Sequence, residues 1–415
     1  MKKKVVFIFL SIILLLISIL TITYIIDQQN KKEEIAKQEK IEKERQNKVD
    51  DINKHYGNFV ITNKKTNLYD EQYKQIGSID QGYELKLSNI NITYETEYFL
   101  IDELNYYVKY QDVDKIENPS EKNTRYKKYI LFNENIVTNN ITNFYNDNNL
   151  VLTINKSYNL PIIIKDTDKY YVELNNELYY VLKSDVKEVV TTQNTIDNSR
   201  NNIAILTYHA IYDPNVETCT SEICHTESQF DSHIKFFADN NFLSLTMEEM
   251  DLFLDGKIRI PTNSVSITID DGYLGVRAIP ILEKYKINAT LFLITSSYSP
   301  EIYKSDYLEL HSHGNNLHKQ GVCPGGQGGG IKCLPKEMLL ADLKTSSEIL
   351  NNSKVFCYPF YEYNDYAVSV LKEAGFKLAF IGGYRKAVQG VNKLLIPRYT
   401  VVRDDDVDYL KTLIY

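Results

Sequence analysis

The sequence predicts an α/β fold with a parallel sheet, preceded by an all-β region and an N-terminal apolar helix. After residue 202, apolar runs of strand length alternate with helical patterns up to about residue 381, and repeated βα units favour a parallel sheet. Residues 51–190 hold 17 of the 33 Tyr in short alternating runs, which is typical of β-structure. Residues 5–26 are an uncharged apolar run.

The N-terminal apolar run predicts a membrane anchor within residues 1–30. Its 22 residues follow three lysines, and as a helix they reach ~33 Å, enough to cross a hydrocarbon core of about 30 Å. Small residues of the kind that mark a signal-peptide cleavage site do not follow it. We therefore expect a single-pass protein of the cell membrane with its N-terminus inside and everything from Asp27 outside. The alternative is a cleaved signal peptide and a secreted protein.

The charged residues predict a stalk after the anchor, and the net charge of the chain argues against one class of partner. Residues 31–50 are charge-dense and lack Gly and Pro, which predicts a solvated stalk, helical or flexible, that spaces the following domains from the membrane. The whole chain has a net charge of −8. An acidic chain argues against nucleic acid as a partner, because phosphate binding requires a basic face.

The β-region contains an internal repeat. Residues 66–69 (TNLY) recur as residues 142–145 (TNFY), and the YYV of residues 106–108 recurs at residues 179–181, offsets of 76 and 73 residues. Units of this size suit small barrels, and we expect two modules, at residues 51–120 and 121–192, followed by a linker at 193–202. The pattern resembles tandem bacterial SH3-like modules, which implies binding to the cell wall. The alternative is a β-rich spacer without a ligand.

The five cysteines agree with an extracellular location. Cys219 and Cys224 are five positions apart, and Cys323 and Cys333 bracket the Gly-rich loop PGGQGGG, which leaves Cys357. Two local loop disulfides are the expected arrangement outside the cell, with free thiols as the alternative.

Two polar segments at predicted strand ends carry the candidate chemistry. The strand ending at Ile269 is followed by Asp270, Asp271 and Gly272, and three of the seven His lie within residues 311–318. Ligands in parallel α/β folds bind at the carboxyl ends of strands. Two imidazoles and a carboxylate with an open position form a divalent site suited to hydrolysis. An ordinary Asp-Gly turn and a surface His cluster are the alternatives for each segment alone.

These segments resemble motifs of the NodB-type polysaccharide deacetylases. The Asp270-Asp271-Gly272 strand end resembles the first motif and the segment from Ser312 to His318 the second. The other matches, in family order, are residues 206–211 (LTYHAI) for an opening strand, residues 355–364 for the third motif and residues 396–399 (IPRY) for a closing strand. The resemblance spans roughly residues 200–400 and implies an irregular (β/α)7-type barrel in a catalytic domain at residues 203–415.

The resemblance also implies roles for individual residues. Asp271, His313 and His318 would hold one divalent metal ion, zinc first, with cobalt or nickel as alternatives. Asp270 would be the general base, His209 would protonate the leaving amine, and Arg398 would pair with Asp270. The remaining candidates, for oxyanion stabilisation or substrate binding, are Tyr208, Tyr358 and Phe360.

The chain departs from the family pattern at several positions. Cys357 stands where many relatives have Arg, Tyr361 where a Gly usually follows the aromatic residue, and Gly314 where Thr is common. The late Leu-x-His that supplies the acid in many relatives is missing, which leaves His209 for that role. These departures affect substrate shape and turnover more than metal binding.

The implied function is N-deacetylation of a cell-envelope polysaccharide. The anchor, the stalk and the wall-module-like repeats favour N-acetylglucosamine in peptidoglycan as the substrate. The alternatives within this class are poly-N-acetylglucosamine exopolysaccharide and an O-acetyl esterase reaction at the same site. A catalytically inactive wall-binding surface protein is the alternative from another class, and a phosphoesterase is disfavoured because two-metal sites usually carry more ligands.

Overall fold

The computed structural model divides the chain into two compact units that are not continuous in sequence. It describes residues 2–88, 97–101, 106–117, 125–174, 177–192 and 197–415. The first unit comprises the described residues of Met1–Lys122, Asn139–Ser157 and Leu174–Tyr179, and the second those of Asn123–Thr138, Tyr158–Glu173 and Tyr180–Tyr415. The predicted domain boundaries remain a prediction, as does the linker, of which residues 193–196 lie outside the described residues.

A single helix, α1 (Lys2–His55), contains both the apolar run and the charged stalk. Its portion Ile12–His55 includes a window with a mean hydropathy of 1.8, apolar and long enough to cross a membrane. The predicted N-terminal apolar helix is confirmed. The stalk, which was expected to be either helical or flexible, is helical. Insertion into a membrane remains a prediction.

The predicted β-region consists of short strands. In chain order they are β1 (Phe59–Thr62), β2 (Thr66–Tyr69), β3 (Gln75–Ile79), β4 (Glu84–Lys86), β5 (Tyr98–Ile101), β6 (Tyr106–Lys109), β7 (Val113–Lys115), β8 (Glu134–Thr138), β9 (Thr142–Asn146), β10 (Asn149–Ile154), β11 (Asn159–Pro161), β12 (Ile164–Lys165), β13 (Lys169–Leu174), β14 (Glu177–Leu182) and β15 (Val186–Thr191). Within the first unit the strand orders are β4-β1-β7 and β9-β10-β3-β2-β6-β5, and within the second β8 pairs with β11 and β15. The β-rich character is confirmed, whereas the SH3-like assignment stays a prediction.

The second unit continues with thirteen strands and six helices. They are β16 (Ser199–Arg200), β17 (Asn202–Tyr208), β18 (Ile211–Tyr212), β19 (His225–Thr226), α2 (Glu227–Asp239), β20 (Leu243–Ser244), α3 (Met247–Leu254), β21 (Ile260–Pro261), β22 (Ser264–Ile269), α4 (Ile279–Tyr285), β23 (Ala289–Leu293), β24 (Leu308–Ser312), α5 (Lys336–Ile349), β25 (Val355–Cys357), α6 (Asp365–Glu373), β26 (Leu378–Phe380), β27 (Ala387–Val388), β28 (Tyr399–Thr400) and α7 (Val407–Ile414). The alternation of strands and helices confirms the predicted α/β fold.

A parallel sheet positions the candidate site. Its order is β26-β25-β24-β23-β22-β17, and β28 adds to β17 in parallel. Ile396, just before β28, forms a parallel bridge with Phe380 of β26. The segment from residue 396 to residue 400 therefore pairs with both edges of the sheet, as the closing strand of an irregular barrel would.

The core explains why these segments form strands and helices. All six residues of β22 are buried, as expected for a strand covered on both faces. One apolar cluster joins the sheet to α2, α4 and α7, and a second joins it to α5 and α6. Two helices begin at capping boxes, with Thr226 and Gln229 at α2 and Thr246 and Glu249 at α3, each satisfying backbone N–H groups of the first turn.

Candidate active site

The carboxyl ends of neighbouring strands bring most of the predicted site residues together. Asp270 and Asp271 follow β22, and His313 follows β24, two strands along the same parallel sheet. Asp271 has φ 73° and Gly272 has φ 100°. A Cβ at position 272 would lie 2.7 Å from Leu293 Cδ1, so only glycine fits at this position. The turn at Gly272 directs the carboxylates of Asp270 and Asp271 into the site.

Asp271, His313 and His318 form a three-residue cluster with the geometry of a metal site. Asp271 Oδ1 lies 3.2 Å from Nε2 of His313 and 3.2 Å from Nε2 of His318. Ligands held about 2 Å from one ion lie roughly 3–3.5 Å apart in a tetrahedral arrangement. The side chains of Asp271 and His318 keep partial exposure, 26% and 21%, which leaves access for a solvent molecule or a substrate.

The hydrogen bonds around the cluster fit a divalent ion. His313 Nδ1 donates to the Cys357 carbonyl at 2.8 Å, which leaves Nε2, the nitrogen that faces Asp271, to bind an ion. Asp271 Oδ1 is buried and makes no hydrogen bond, an unfavourable state for a carboxylate unless a cation compensates it. This donor set therefore fits the predicted metal.

Asp270 lies beside the cluster in a buried ion pair with Arg398. The guanidinium donates to Asp270 Oδ1 at 2.8 Å and to Oδ2 at 2.7 Å, and both side chains are 1% exposed. Burial favours a raised pKa for Asp270, but Arg398 outweighs it and lowers the pKa. Asp270 is therefore ionised at neutral pH and can accept a proton.

Cys357 contacts both members of this ion pair, a role that sequence reasoning did not assign to it. Arg398 donates to Cys357 Sγ at 2.9 Å, and the thiol donates to Asp270 Oδ2 at 3.4 Å. Burial raises the pKa of the thiol, so it stays protonated. The strand order could have indicated this contact, because Cys357 ends β25, the neighbour of β24, at the same edge of the sheet as His313.

His209, the predicted acid, follows β17 at the same edge. Burial lowers its pKa, while the nearby carboxylates of Asp270 and Asp271 oppose that shift. Its Nδ1 atom is buried without a hydrogen-bond partner. The neutral imidazole can therefore take up a proton before it donates one.

Phe360 lies against one metal-site histidine. Its ring centroid is 4.3 Å from that of His318, and its backbone has φ 58°. Tyr361 follows with the same φ, in the left-handed region where relatives are expected to have glycine. The Tyr361 ring lies 5.3 Å from the Arg398 guanidinium, so its side chain completes the pocket around the ion pair.

The Gly-rich loop packs beside Phe360. Cys323 and Cys333 close it with a disulfide, and Cys219 and Cys224 form the other expected pair. The Glu362 carboxylate accepts the Gly329 N–H at 2.7 Å and contacts the Lys332 ammonium at 2.9 Å. The loop is thereby fixed to the segment that carries Phe360.

Two predicted residues are not brought into the site. Tyr208 is fully buried, and its hydroxyl bonds to His233 Nδ1 at 3.1 Å; because side chains alternate along a strand, it points away from the face that His209 uses. Tyr358 is also fully buried, with its ring packed on Phe356 and Tyr363. Neither hydroxyl is available to a substrate.

Comparison with known proteins shows which family the site region resembles. Residues 257–379 match the family described as polysaccharide deacetylase, and this match includes Asp270, Asp271, His313 and His318. The chain carries a polysaccharide deacetylase domain. A poly-beta-1,6-N-acetyl-D-glucosamine N-deacetylase of Staphylococcus aureus is 29% identical over 207 residues, which cover 45% of this chain and 70% of that protein.

Two solved structures are also similar to this chain. IcaB from Ammonifex degensii is 20% identical, with 52% of this chain and 98% of that chain covered and a TM-score of 0.44. A polysaccharide deacetylase from Bacillus cereus is 16% identical, with 80% and 99% covered and a TM-score of 0.44. The protein is a hydrolase of the polysaccharide N-deacetylase class, and the predicted enzyme class is confirmed.

Proposed function

We propose that this protein removes N-acetyl groups from an amino-sugar polymer of the cell envelope in a reaction that depends on a divalent metal ion. The observation that carries the proposal is the cluster of Asp271, His313 and His318, with ligand atoms within 4.8 Å of one another, beside the Asp270–Arg398 pair. A divalent ion bound there would supply Lewis acidity and lower the pKa of water. Zinc suits the His-rich ligand set, as do cobalt and nickel.

The chain's own residues supply the proton transfers. Asp270, ionised by its pairing with Arg398, accepts the proton of the attacking water. Oδ2 of Asp270 accepts from both Arg398 and the Cys357 thiol, whereas Oδ1 accepts only from Arg398. Oδ1 therefore has a second lone pair for water. The backbone N–H of the Phe360 segment is the proposed donor to the developing oxyanion.

His209 is the proposed donor to the leaving amine. Its lowered pKa makes the neutral form the resting state, so it must gain a proton during the cycle. An imidazolium with a low pKa donates readily, and the departing nitrogen is the group that needs the proton.

Two polymers are candidates for the substrate. The Staphylococcus aureus relative is named for poly-beta-1,6-N-acetyl-D-glucosamine, which favours that polymer as the first substrate to test. The long apolar helix followed by a charged helical stalk favours peptidoglycan, since it would hold the enzyme near the membrane beneath the wall. An O-acetyl esterase reaction and an inactive wall-binding protein are the remaining alternatives.

The test follows acetate release by the full chain from each of the two polymers, with and without a chelator. We expect release that stops with chelator, returns with added zinc and falls about a hundredfold or more in Asp270→Asn. The control Asp404→Asn changes a carboxylate outside the described cluster and should leave the rate unchanged. A protein that stays active after complete metal removal would refute the metal-dependent mechanism. A folded, metal-loaded protein that releases no acetate from either polymer would refute both substrate assignments.

A further inference from the structure

Four tyrosines and a lysine gather on one face of the sheet in the first unit. Leu68, Phe99 and Val108 of β2, β5 and β6 are fully buried, so alternation turns their neighbours to the opposite face. These neighbours are Tyr69, Tyr98, Tyr107 and Lys109, and with Tyr73 they form what we call the aromatic patch. The strand register pairs Tyr69 with Tyr107 and Tyr98 with Lys109.

The rings of the aromatic patch contact one another. Tyr73 stacks on Tyr98 with centroids 4.9 Å apart and planes at 27°, and it meets Tyr107 edge-on at 5.4 Å. Tyr69 lies 5.0 Å from Tyr98. Tyr73 is 39% exposed, and the other three are partly exposed. The patch is therefore a surface of aromatic faces and phenol hydroxyls held by mutual packing.

The second repeat has the same tyrosine pair in a more buried setting. At the 73-residue offset, Tyr98 and Tyr107 correspond to Tyr171 and Tyr180, whose rings are 5.6 Å apart. Tyr180 is only 8% exposed. Tyr180 is therefore more buried than Tyr107, its counterpart in the first repeat, whereas Tyr171 stays partly exposed like Tyr98.

We propose that the aromatic patch binds the N-acetylated polysaccharide itself, a binding site separate from the catalytic one. The inference rests on the proposed function, which makes an amino-sugar polymer the substrate. A pyranose ring presents an apolar C–H face edged by hydroxyls, and tyrosine offers the matching combination of an apolar ring and a polar tip at low cost in side-chain entropy.

Lys109 adds selectivity between substrate and product. Its ammonium lies 5.8 Å from the Tyr69 centroid and 5.7 Å from the Tyr98 centroid, so a cation already occupies the faces that attract cations. Each deacetylated sugar carries a new ammonium group, which Lys109 repels. The acetylated polymer is neutral and avoids this repulsion, so the patch retains substrate and releases product.

The test measures co-sedimentation of the full chain, in detergent and carrying Asp270→Asn, with insoluble poly-N-acetylglucosamine and with the same polymer after chemical deacetylation. Tyr98→Ala and Tyr73→Asn remove patch rings, and Asn suits position 73 because its φ of 58° is one that Asn tolerates. Tyr409→Ala is the matched control, since it removes another exposed tyrosine from helix α7. Melting curves establish that each variant is folded.

We expect the Tyr98→Ala and Tyr73→Asn double variant to bind the acetylated polymer about tenfold more weakly, with Tyr409→Ala unchanged. The deacetylated polymer should bind more weakly than the acetylated one, and Lys109→Gln should reduce that difference. Unchanged binding by a folded Tyr73→Asn variant, or tighter binding of the deacetylated polymer, would overturn the proposal. Patch-dependent binding without any acetate release by the native chain would support this site and refute the proposed chemistry instead.

Discussion

At the scale of single residues, the two histidines of the proposed metal site are held in different ways. His313 is 2% exposed and fixed by its hydrogen bond to the Cys357 carbonyl. His318 is 21% exposed, and its ring packs against Phe360. The position of His318 therefore depends on an aromatic contact rather than on a hydrogen bond that the structure shows.

Phe360→Ala should weaken metal binding by about tenfold, because groups that orient a ligand typically contribute 10–100-fold to metal affinity. The measurement is competition with a chromophoric chelator. Tyr363→Ala is the matched control, since Tyr363 lies in the same segment and packs on Tyr358 instead. Equal affinities for the native protein and Phe360→Ala would show that the ring does not position His318.

Arg398→Met should leave Asp270 buried without its cation. The pKa of Asp270 is lowered by Arg398, so its loss raises that pKa. A base must be deprotonated to act, and the acid limb of the pH–rate profile should therefore move to higher pH. Breaking a buried pair of this kind also destabilises by about 3–5 kcal/mol.

The measurement for Arg398→Met is the pH dependence of acetate release at a temperature where the variant is folded. Arg385→Met, which removes an exposed arginine, should keep the native profile. An acid limb that does not move in Arg398→Met would contradict a role for Arg398 in keeping Asp270 ionised.

Local sequence predicted the metal-site residues because each follows a strand within a short motif. The rule that parallel strands end at one edge of the sheet predicts that the two segments meet. The resemblance to the deacetylase motifs supplied the proposed role of Asp271, His313 and His318 as metal ligands. The thiol of Cys357 beside Asp270 was not predicted, because 87 residues separate them and only the strand order brings them together. Tyr208 was a predicted site residue, but the structure buries it on the opposite face of β17 from His209, as the period-2 alternation of a strand requires.

At the scale of elements, a polar tie joins the segment before β8 to helix α3 within the second unit. Arg125 donates to both carboxylate oxygens of Glu249 at 2.7 Å, to the Ser244 carbonyl at 2.7 Å and to Asn288 Oδ1 at 3.0 Å. Glu249 also caps α3 through the Thr246 N–H at 2.9 Å. One carboxylate therefore serves both the helix start and the tie.

Arg125→Met should destabilise the second unit by about 3 kcal/mol, because it leaves the Glu249 carboxylate buried without its partner. The measurement is urea unfolding. Lys127→Met is the matched control, since the Lys127 side chain is 41% exposed and its pair with Glu173 is at the surface, where such pairs contribute about 0–1 kcal/mol. If Arg125→Met unfolds at the same urea concentration as the native protein, the Arg125 hydrogen bonds do not stabilise the second unit.

The Cys323–Cys333 disulfide should matter for both stability and the site. Replacing both cysteines with Ser should cost about 2–4 kcal/mol and loosen the loop that Glu362 fixes beside Phe360. We expect a raised KM with a smaller change in kcat, measured on a soluble oligosaccharide. Replacing Cys219 and Cys224, which close the other loop, tests whether the KM effect is specific to the Gly-rich loop.

Element prediction succeeded where the apolar pattern was long. The strands β17, β22 and β23 and the helices α2, α5 and α6 lie in the region after residue 202 where the sequence predicts alternating strands and helices. Helices α3 and α7 were missed, because each has eight residues, barely two turns of periodic signal. The capping box Thr246-x-x-Glu249 was a usable signal for α3.

At the scale of the whole molecule, buried histidines lower the stability of the folded protein at acid pH. His225 and His233 are 0% and 1% exposed, and burial lowers the pKa of each to about 4. Unfolded histidine has a pKa near 6.5. As the pH falls from about 6.5 to 4, the unfolded chain therefore takes up protons that the native protein does not.

Stability should therefore fall by up to about 1.4 kcal/mol per pH unit for each of these two histidines in that range. Urea unfolding at a series of pH values measures the slope. His233→Gln should remove about half of it, whereas His55→Gln, a change at the end of α1 in the first unit, should not alter it. Equal stability at pH 7 and pH 5 would contradict the lowered pKa values.

The chain runs more than once between its two units, since residues 123–138 and 158–173 belong to the second unit while residues 139–157 belong to the first. Domain boundaries usually fall in exposed linkers where few contacts cross. Here a single cut near residue 200 would deliver a deacetylase lacking Arg125, and with it the partner of Glu249. We expect such a fragment to unfold at a lower urea concentration than the same region does in the full chain.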